Sequence, residues 1–420
     1  MDFLLKKLFI ERVLTTERDP EGVAAGFSWA YDEVQRRHPR LTAAMSREQV
    51  GEMAGNNAKF AVDLGIAGLD VQRPAILEYE RDVRRNVRQE TEERFGSALD
   101  ELTLLRAAAQ ESCREFHKRT TWSKRQETLA RLAGRGLLIT DETICLLAAG
   151  YAGGALSRWR SLHEVSVVAA VIAENDEETA SRYLRHEVVT RAKTARSYQK
   201  YAPGLGEEPL SDATLDEIQA GLAAAKREYP DFDRYRKDYG WAAHLLSGAN
   251  PDFRNLEELA GRAWLRPYYQ LASHPVHAGA ANLLTEIGLE SDEGILTGPS
   301  PDGLTDPLQL TAITLTFLVN QMLNSAPGED FLHWELRSAA LEKVAERTVE
   351  RLPNTHGDSS SGESGVPPTE NALDAPGQDP PSMLSWPDLN WEETAQEMPS
   401  SARFLGARRL LARRRLRQEE

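Results

Sequence analysis

Cysteine is scarce in this chain: Cys113 and Cys145 are the two among 420 residues. They lie far apart in sequence, so a disulfide framework of the kind that holds small secreted domains together is excluded. We interpret both as reduced core thiols in a reducing compartment rather than as a disulfide or a zinc site.

Long hydrophobic runs are also missing, since no segment reaches the roughly 18 uninterrupted apolar residues of a membrane span. The nearest candidate, residues 308–323, carries polar side chains that suit a buried bundle helix: Gln309, Thr311, Thr314, Thr316, Asn320 and Gln321. Residues 1–10 place Lys6 and Lys7 within an apolar stretch, which predicts a short amphipathic helix rather than a signal peptide. The sequence therefore predicts a cytoplasmic protein without a membrane span.

Several familiar sequence motifs are absent. Alternating strand-like runs bounded by Asn-Gly or Asp-Gly turns are almost lacking, and helical periodicity dominates, so we predict an all-α fold. There is no phosphate-binding glycine loop with its lysine, no dinucleotide fingerprint and no nucleophile elbow. No His, Glu or Asp set has the paired spacing of a helical metal site. The sequence therefore predicts neither a metal nor a cofactor.

Charge and composition divide the chain. The net charge of −15 opposes general attraction to nucleic acid, so any such contact must be local. We predict an accessory helical region at 1–120, a helical-bundle core domain at 121–345, a disordered acidic linker at 346–400, and a basic amphipathic helix at 401–420. The oligomeric state stays open, and a dimer is compatible with this organisation.

Two predicted helices are apolar on every face, from about Glu142 to Glu174 and from about Pro307 to Asn324. A helix that is apolar all round belongs at the centre of a bundle. Gly150, Gly153 and Gly154 fall inside the first helix, where they lower helix propensity and so indicate close helix crossing.

Two C-terminal segments have distinctive compositions. Met383–Trp391 concentrates apolar and aromatic residues within the linker, which favours either a docking peptide or a strip that packs on its own body. Ser401–Glu420 contains seven arginines beside leucine and phenylalanine. Such a segment can bind RNA, an anionic surface or a partner protein, or the acidic body of this same protein.

A polar cluster interrupts the first apolar helix at Arg160, His163 and Glu164. Charges placed among apolar residues incur a desolvation cost, so they must have partners. Arg160 and Glu164 are one turn apart and can pair with each other. The alternative to a catalytic role is a buried structural ion pair beside a histidine that makes one satisfied hydrogen bond.

A second polar group follows about a hundred residues later. Tyr269 and Ser273 share one helix face, and Pro275 predicts a helix break that places His277 in the first turn of the next helix. If this stretch meets the first cluster, Arg160, His163, Glu164, Ser273 and His277 form one buried polar site. We treat these five as candidate catalytic residues.

The arrangement of Arg160 and Glu164 on an apolar helix, followed by Tyr269, Ser273 and His277, resembles the bacterial domain-of-unknown-function family numbered 5677. The resemblance covers roughly residues 130–330. That family carries no established activity, so the resemblance implies a helical fold and little mechanism.

A second resemblance is to the HEPN superfamily of helical ribonucleases, whose mark is an arginine, four to six residues, and then a histidine. Arg158 and His163 have this spacing. The resemblance implies metal-independent RNA cleavage, with His163 or His277 as general base and Arg158 or Arg160 stabilising phosphate charge. Residues five apart on an uninterrupted helix point about 140° apart, which departs from that arrangement.

Two functions follow as hypotheses. The first is a helical-bundle protein with a buried polar site that cleaves RNA in bacterial defence, including phage defence, or toxicity. The second is a non-catalytic protein-binding scaffold in which the linker peptide and the arginine-rich tail recruit or regulate a partner.

Overall fold

The computed structural model describes residues 58–118, 122–234, 238–248, 250–277, 296–326 and 330–353. The chain divides into two compact units, residues 1–86 and residues 87–420. The predicted N-terminal amphipathic helix, the linker peptide and the arginine-rich tail all lie outside the described residues.

Every regular element in the described ranges is helical, which confirms the all-α prediction. The α-helices are α1 Ala58–His117, α2 Lys124–Ala148, α3 Ala152–Ala173, α4 Glu177–Arg185, α5 Glu187–Leu205, α6 Asp212–Glu228, α7 Asp231–Arg234, α8 Phe253–Leu259, α9 Arg266–Leu271, α10 Thr305–Leu323 and α11 Phe331–Glu350. Turns of 3₁₀-helix occupy Gly240–Leu245, Ala263–Leu265 and His274–Val276. No described helix is long and apolar enough to cross a membrane.

Helix α1 is continuous from Ala58 to His117. Its second half buries Phe95, Leu102, Leu105 and Phe116 in the main core, because these residues recur on one helix face. The compact-unit boundary lies after Asn86, within this helix. The accessory region at 1–120 stays a prediction.

The predicted helix from Glu142 to Glu174 is wrong, because the chain breaks between α2 and α3. Gly150 occupies this break with φ +79°, a conformation that disfavours residues with a Cβ atom. The Gly150 carbonyl accepts a hydrogen bond of 2.9 Å from the Ser300 backbone N–H. The segment before α10 thus closes over the turn between the two helices.

Helices α2, α3 and α10 pack together at the centre, and Gly136 of α2 lies where side chains of the other two approach its backbone. A Cβ atom at this position would overlap the Leu318 side chain of α10 and lie 3.2 Å from Cδ1 of Leu162 on α3. Helix α10 is buried along nearly its whole length, which confirms the prediction for this stretch. Two of its threonines are satisfied locally, since Thr311 donates to the Pro307 carbonyl at 2.6 Å and Thr316 to the Ala312 carbonyl at 2.9 Å.

Outer helices complete the body. Helices α4 and α5 are separated at His186, where α4 ends and α5 begins. Cys113 is half-buried and Cys145 is exposed, and both are free thiols. The prediction of two core thiols is therefore wrong for Cys145, which lies on the outer face of α2.

We predict that Gly150→Ala lowers the free energy of unfolding by about 2 kcal/mol or more, because a left-handed backbone and a steric overlap both oppose the new methyl group. The added Cβ would lie 2.8 Å from the Ser300 carbonyl oxygen. Urea denaturation measures the change. Gly134→Ala is the matched control, since this helical glycine has open space around it, and we expect a stabilisation of up to about 1 kcal/mol. Equal stabilities for both variants would contradict the role assigned to the turn.

Candidate functional site: a buried polar seam

One face of α3 meets α8 and α9 along a line of polar side chains, which we call the polar seam. The polar seam consists of Arg160, His163 and Glu164 on α3, Glu257 on α8, and Arg266 and Tyr269 on α9. Elsewhere α3 lies against α2 and α10 and is mostly apolar, with Arg158 paired to Glu142 of α2. Arg160, His163 and Glu164 face the segment that carries α8 and α9.

The first half of the polar seam is a triangle of Arg160, Glu164 and Tyr269. Arg160 Nε lies 3.3 Å from Glu164 Oε1, and its Nη2 donates to the Tyr269 hydroxyl at 3.0 Å. The same hydroxyl donates to Glu164 Oε1 at 2.7 Å. Burial, together with the hydrogen bond to Glu164, raises the pKa of Tyr269 to about 12. The phenol is therefore protonated at neutral pH and acts as a donor.

The second half of the polar seam is built on the Glu257 carboxylate, which is fully buried. His163 Nε2 lies 2.9 Å from Glu257 Oε1, and Arg266 Nη1 donates to Glu257 Oε2 at 2.5 Å. Burial lowers the pKa of His163, and the neighbouring Glu257 only partly opposes this effect. The neutral imidazole therefore carries its proton on Nε2, and this N–H donates a hydrogen bond to the Glu257 carboxylate. Arg266 supplies the cation that balances the charge.

Tyr269 joins the two halves. The guanidinium carbon of Arg160 lies 4.7 Å from the Tyr269 ring centroid and that of Arg266 lies 5.6 Å from it. The Phe253 ring packs against the same tyrosine with centroids 4.7 Å apart. Two cations beside one aromatic ring make the polar seam a continuous network rather than two separate pairs.

Ser273 and His277 lie at one end of this line. The Ser273 hydroxyl donates to the Tyr269 carbonyl at 2.8 Å, so it caps its own helix. His277 is exposed and follows the 3₁₀ turn with an extended backbone, φ −113° and ψ 141°. The predicted break at Pro275 is confirmed, whereas the prediction that His277 begins the next helix is wrong. The extended backbone ends the turn there.

The five candidate residues are distributed along α3 rather than gathered around one point. Pro275 packs beside Gly153, near the start of α3, where a Cβ atom would lie 3.7 Å from the proline ring. Arg160 is two turns further along, about 10 Å at 1.5 Å per residue. The structure therefore brings Arg160, Glu164 and Tyr269 together and places the His274–Val276 turn near the first turns of the helix.

Arg158 and His163 diverge as the helical repeat predicts. Helix α3 is uninterrupted between them, Arg158 pairs with Glu142 on α2, and His163 pairs with Glu257 on α8. Arg158 therefore lies at the interface of α3 with α2, and His163 lies at the interface of α3 with α8.

Sequence reasoning missed Glu257 and Arg266. A signal for Glu257 is present, because this carboxylate lies on the same face of α8 as Phe253, Leu256 and Ala260, all buried. A charge on the apolar face of a short helix must have a partner. Arg266 carries no comparable signal, since partly exposed arginines are common.

Arg262 is a further buried charge close to the polar seam. Its guanidinium carbon lies 4.5 Å from the Phe317 ring centroid on α10. Burial lowers the pKa of Arg262 to about 10, and Glu174 at the end of α3 opposes the shift. In the described part of the chain, no group of three or more His, Cys, Asp or Glu side chains is placed to hold a metal ion.

We predict that Glu257→Ala lowers the free energy of unfolding by about 3 kcal/mol, because it leaves His163 and Arg266 without their buried anion. Chemical denaturation measures the loss. Glu258→Ala is the matched control. This neighbouring carboxylate is exposed and pairs with Arg254 on its own helix, so we expect a change below about 0.5 kcal/mol. A comparable loss in both variants would show that the pairing around Glu257 is not what stabilises this region.

We predict that stability falls in mild acid. Burial lowers the pKa of His163, His186 and His244, and that of His186 to about 4. These histidines are neutral when folded and protonate near pH 6.5 when unfolded, so their contribution is present above about pH 6.5 and is lost as the pH falls towards their folded pKa values. For His186 the loss is about 1.4 kcal/mol for each pH unit between 6.5 and 4.

Urea denaturation at several pH values tests this dependence. His186→Gln cannot protonate, so its unfolding free energy should fall less between pH 6.5 and 4.5 than that of the wild type. His333→Gln is the control, since this histidine is nearly half exposed. A slope that His186→Gln leaves unchanged would mean that other groups cause the acid sensitivity.

Part of the chain matches a known family model. Residues 126–295 match the model of a family of unknown function (DUF5677), a segment that runs from the start of α2 and contains the whole polar seam together with Ser273 and His277. No curated protein matches the chain. No solved structure matches it either. The match supports the first of the two resemblances drawn from the sequence and brings no activity with it.

Proposed function

We propose that this chain is a non-catalytic protein-binding scaffold, with a rigid helical body and C-terminal segments that recruit or regulate a partner. One observation carries the proposal. The ionisable groups of the polar seam bind each other across the interface between α3 and the α8–α9 segment, as structural ion pairs do.

His163 supports this interpretation. A general base must come within about 3 Å of the proton that it abstracts, directly or through one water. The His163 side chain is 1% exposed and stacks on the Trp159 ring, with centroids 5.3 Å apart. Its Nε2 proton is held by Glu257. These contacts favour a structural role for the imidazole, in which it supports α8.

Arg160 and Glu164 support the same role. Both are partly exposed, but each is held by the other and by the Tyr269 hydroxyl. A substrate phosphate would have to displace Glu164 from the guanidinium, at the cost of a partly buried pair. Closed networks of this kind specify how helices dock, because every member is lost if one is misplaced.

The proposed recruiting element is the aromatic segment Met383–Trp391 of the linker. Met383–Trp391 brings two tryptophans into an otherwise polar, acidic stretch, and aromatic residues are enriched at the energetic centres of protein interfaces. A short aromatic segment on a polar tether can bind a partner while the helical body holds the tether in place.

Metal-independent RNA cleavage in bacterial defence or toxicity is the competing proposal. His277 is the exposed member of the five candidate residues, so it is the histidine through which RNA cleavage would act. The same set of variants distinguishes the two functions.

We expect purified wild-type protein to leave RNA intact and its expression to cause no growth arrest. Arg160→Ala and His163→Ala should lower the melting temperature, because both remove partners from the polar seam, whereas His277→Ala should not. RNA integrity, growth and thermal unfolding are the measurements. RNA cleavage by the wild type that disappears in a normally folded His277→Ala variant would overturn the scaffold proposal.

A pull-down with the full chain as bait in a lysate of its host tests partner binding. Trp386→Ser with Trp391→Ser should abolish capture of the partner that the wild type retains, while His277→Ala retains it. Capture that is unaffected by the tryptophan changes would exclude Met383–Trp391 as the recruiting element.

A further inference from the structure

Helices α5 and α6 pack together as a hairpin, and the exposed face of α5 is basic. Ala192 and Ala195 turn inward and pack against Ile218 of α6. Lys193 and Lys200, two helical turns apart, lie together on the exposed side of α5. This positive face stands out in a chain whose net charge is −15.

Two cations of this face have no carboxylate partner among the described residues. Arg196 and Lys200 are exposed, and neither forms an ion pair in that part of the chain. Lys193, by contrast, lies 3.4 Å from Asp238. The carboxylates of the hairpin itself lie at the ends of α5 or on α6: Glu187, Glu207, Glu208, Asp212, Asp216, Glu217 and Glu228. The two cations without a partner therefore favour an acidic segment.

Apolar side chains continue the basic face towards the end of α5. Tyr201 and Leu205 are one turn apart and are 56% and 71% exposed. The Lys200 ammonium lies 4.9 Å from the Tyr201 ring centroid, so charge and aromatic surface adjoin each other. A segment that combines carboxylates with large apolar side chains therefore fits this face in both charge and hydrophobicity.

We propose that residues 383–397 of the same chain, the acidic aromatic segment, dock on this face of α5. The segment has no lysine or arginine, and its four carboxylates are those of Asp388, Glu392, Glu393 and Glu397. Its large apolar residues are Met383, Leu384, Trp386, Leu389 and Trp391. The carboxylates lie opposite Arg196 and Lys200, and the tryptophans cover Tyr201 and Leu205.

The chain is long enough to bring the acidic aromatic segment to α5. The described residues end at Pro353, so residues 354–382 form the tether. An extended chain of that length reaches about 100 Å, and a random coil of that length has a root-mean-square span of about 30 Å. A compact body of the size of residues 87–353 has a radius of gyration of about 18 Å. The tether therefore reaches α5 and holds the segment near it at roughly millimolar effective concentration.

Charge and aromatic content select this segment from the rest of the C-terminal chain. Residues 401–420 carry seven arginines and two glutamates, so Arg196 and Lys200 repel them. Residues 354–382 are acidic but contain no phenylalanine, tyrosine or tryptophan. Docking would keep the two tryptophans from a partner protein until that partner displaces them. The docking does not depend on the proposed function, because its contacts form within one chain.

Limited chymotrypsin digestion of the full chain tests the docking. Cleavage after Trp391 removes the end of the chain and appears as a discrete change in mass. We expect Arg196→Gln with Lys200→Gln to speed this cleavage roughly tenfold, because proteolysis follows the undocked population. Tyr201→Ser with Leu205→Ser should act in the same direction. Added salt should speed cleavage of the wild type more than that of the charge variant, because salt screens the ion pairs.

Matched controls remove the same chemistry from other surfaces. Arg135→Gln with Arg227→Gln is the charge control, because both arginines are exposed and neither forms an ion pair within the described ranges. Leu332→Ser with Leu336→Ser is the apolar control, because these α11 residues are 70% and 64% exposed. Both controls should keep the wild-type cleavage rate, and unchanged melting temperatures will show that all variants are folded. Equal cleavage of the wild type and the α5 charge variant would overturn the proposal.

Two other occupants of this face give distinct results. Protection that grows with protein concentration, together with a dimer mass, would assign the face to a second copy and overturn the proposal. Binding of a fluorescent single-stranded RNA that Arg196→Gln with Lys200→Gln abolishes, without a change in the cleavage rate, would assign the face to nucleic acid. That result would also overturn the docking.

Discussion

The close packing of α2 against α3 and α10 at Gly136 is the contact on which the rest of the structure depends. A glycine lets the Leu318 side chain of α10 approach the α2 backbone, and Leu162 of α3 completes the contact. Because α10 is buried along nearly its whole length, the other helices must surround it. Once one side of α3 is committed to this contact, Arg160, His163 and Glu164 have a single remaining direction.

That direction is the polar seam. A buried charge is costly unless a partner is built for it, so the helices that cover this face of α3 must bring complementary groups. Tyr269 bridges Arg160 and Glu164 in the first half, and Glu257 and Arg266 supply an anion and a cation for the second. Short helices such as α8 and α9 have little stability alone, so these contacts also define where they lie.

Sequence reasoning succeeds where a residue's own pattern carries the information. The apolar run at 308–323 predicts a central helix, and the spacing of Arg160 and Glu164 predicts their pairing, because both depend on the helical repeat alone. The break at Gly150 was missed, since its cause is the distant Ser300 that closes over the turn. Glu257 was missed for the same reason: its partner His163 is 94 residues away. Pairings at long separation follow from tertiary packing, which one sequence does not display.

The polar seam and the outer surface of the helical body differ in how their side chains are satisfied. In the polar seam, cations and anions neutralise one another inside the body, and the histidine among them is neutral at physiological pH. On the outer face of α11, Leu332 and Leu336 are exposed one turn apart. An interior that satisfies its own charges stabilises one conformation, whereas a surface that exposes neighbouring apolar side chains gains free energy when something covers them. The interior therefore accounts for the fold, and the outer surface with its C-terminal segments is where binding should be sought.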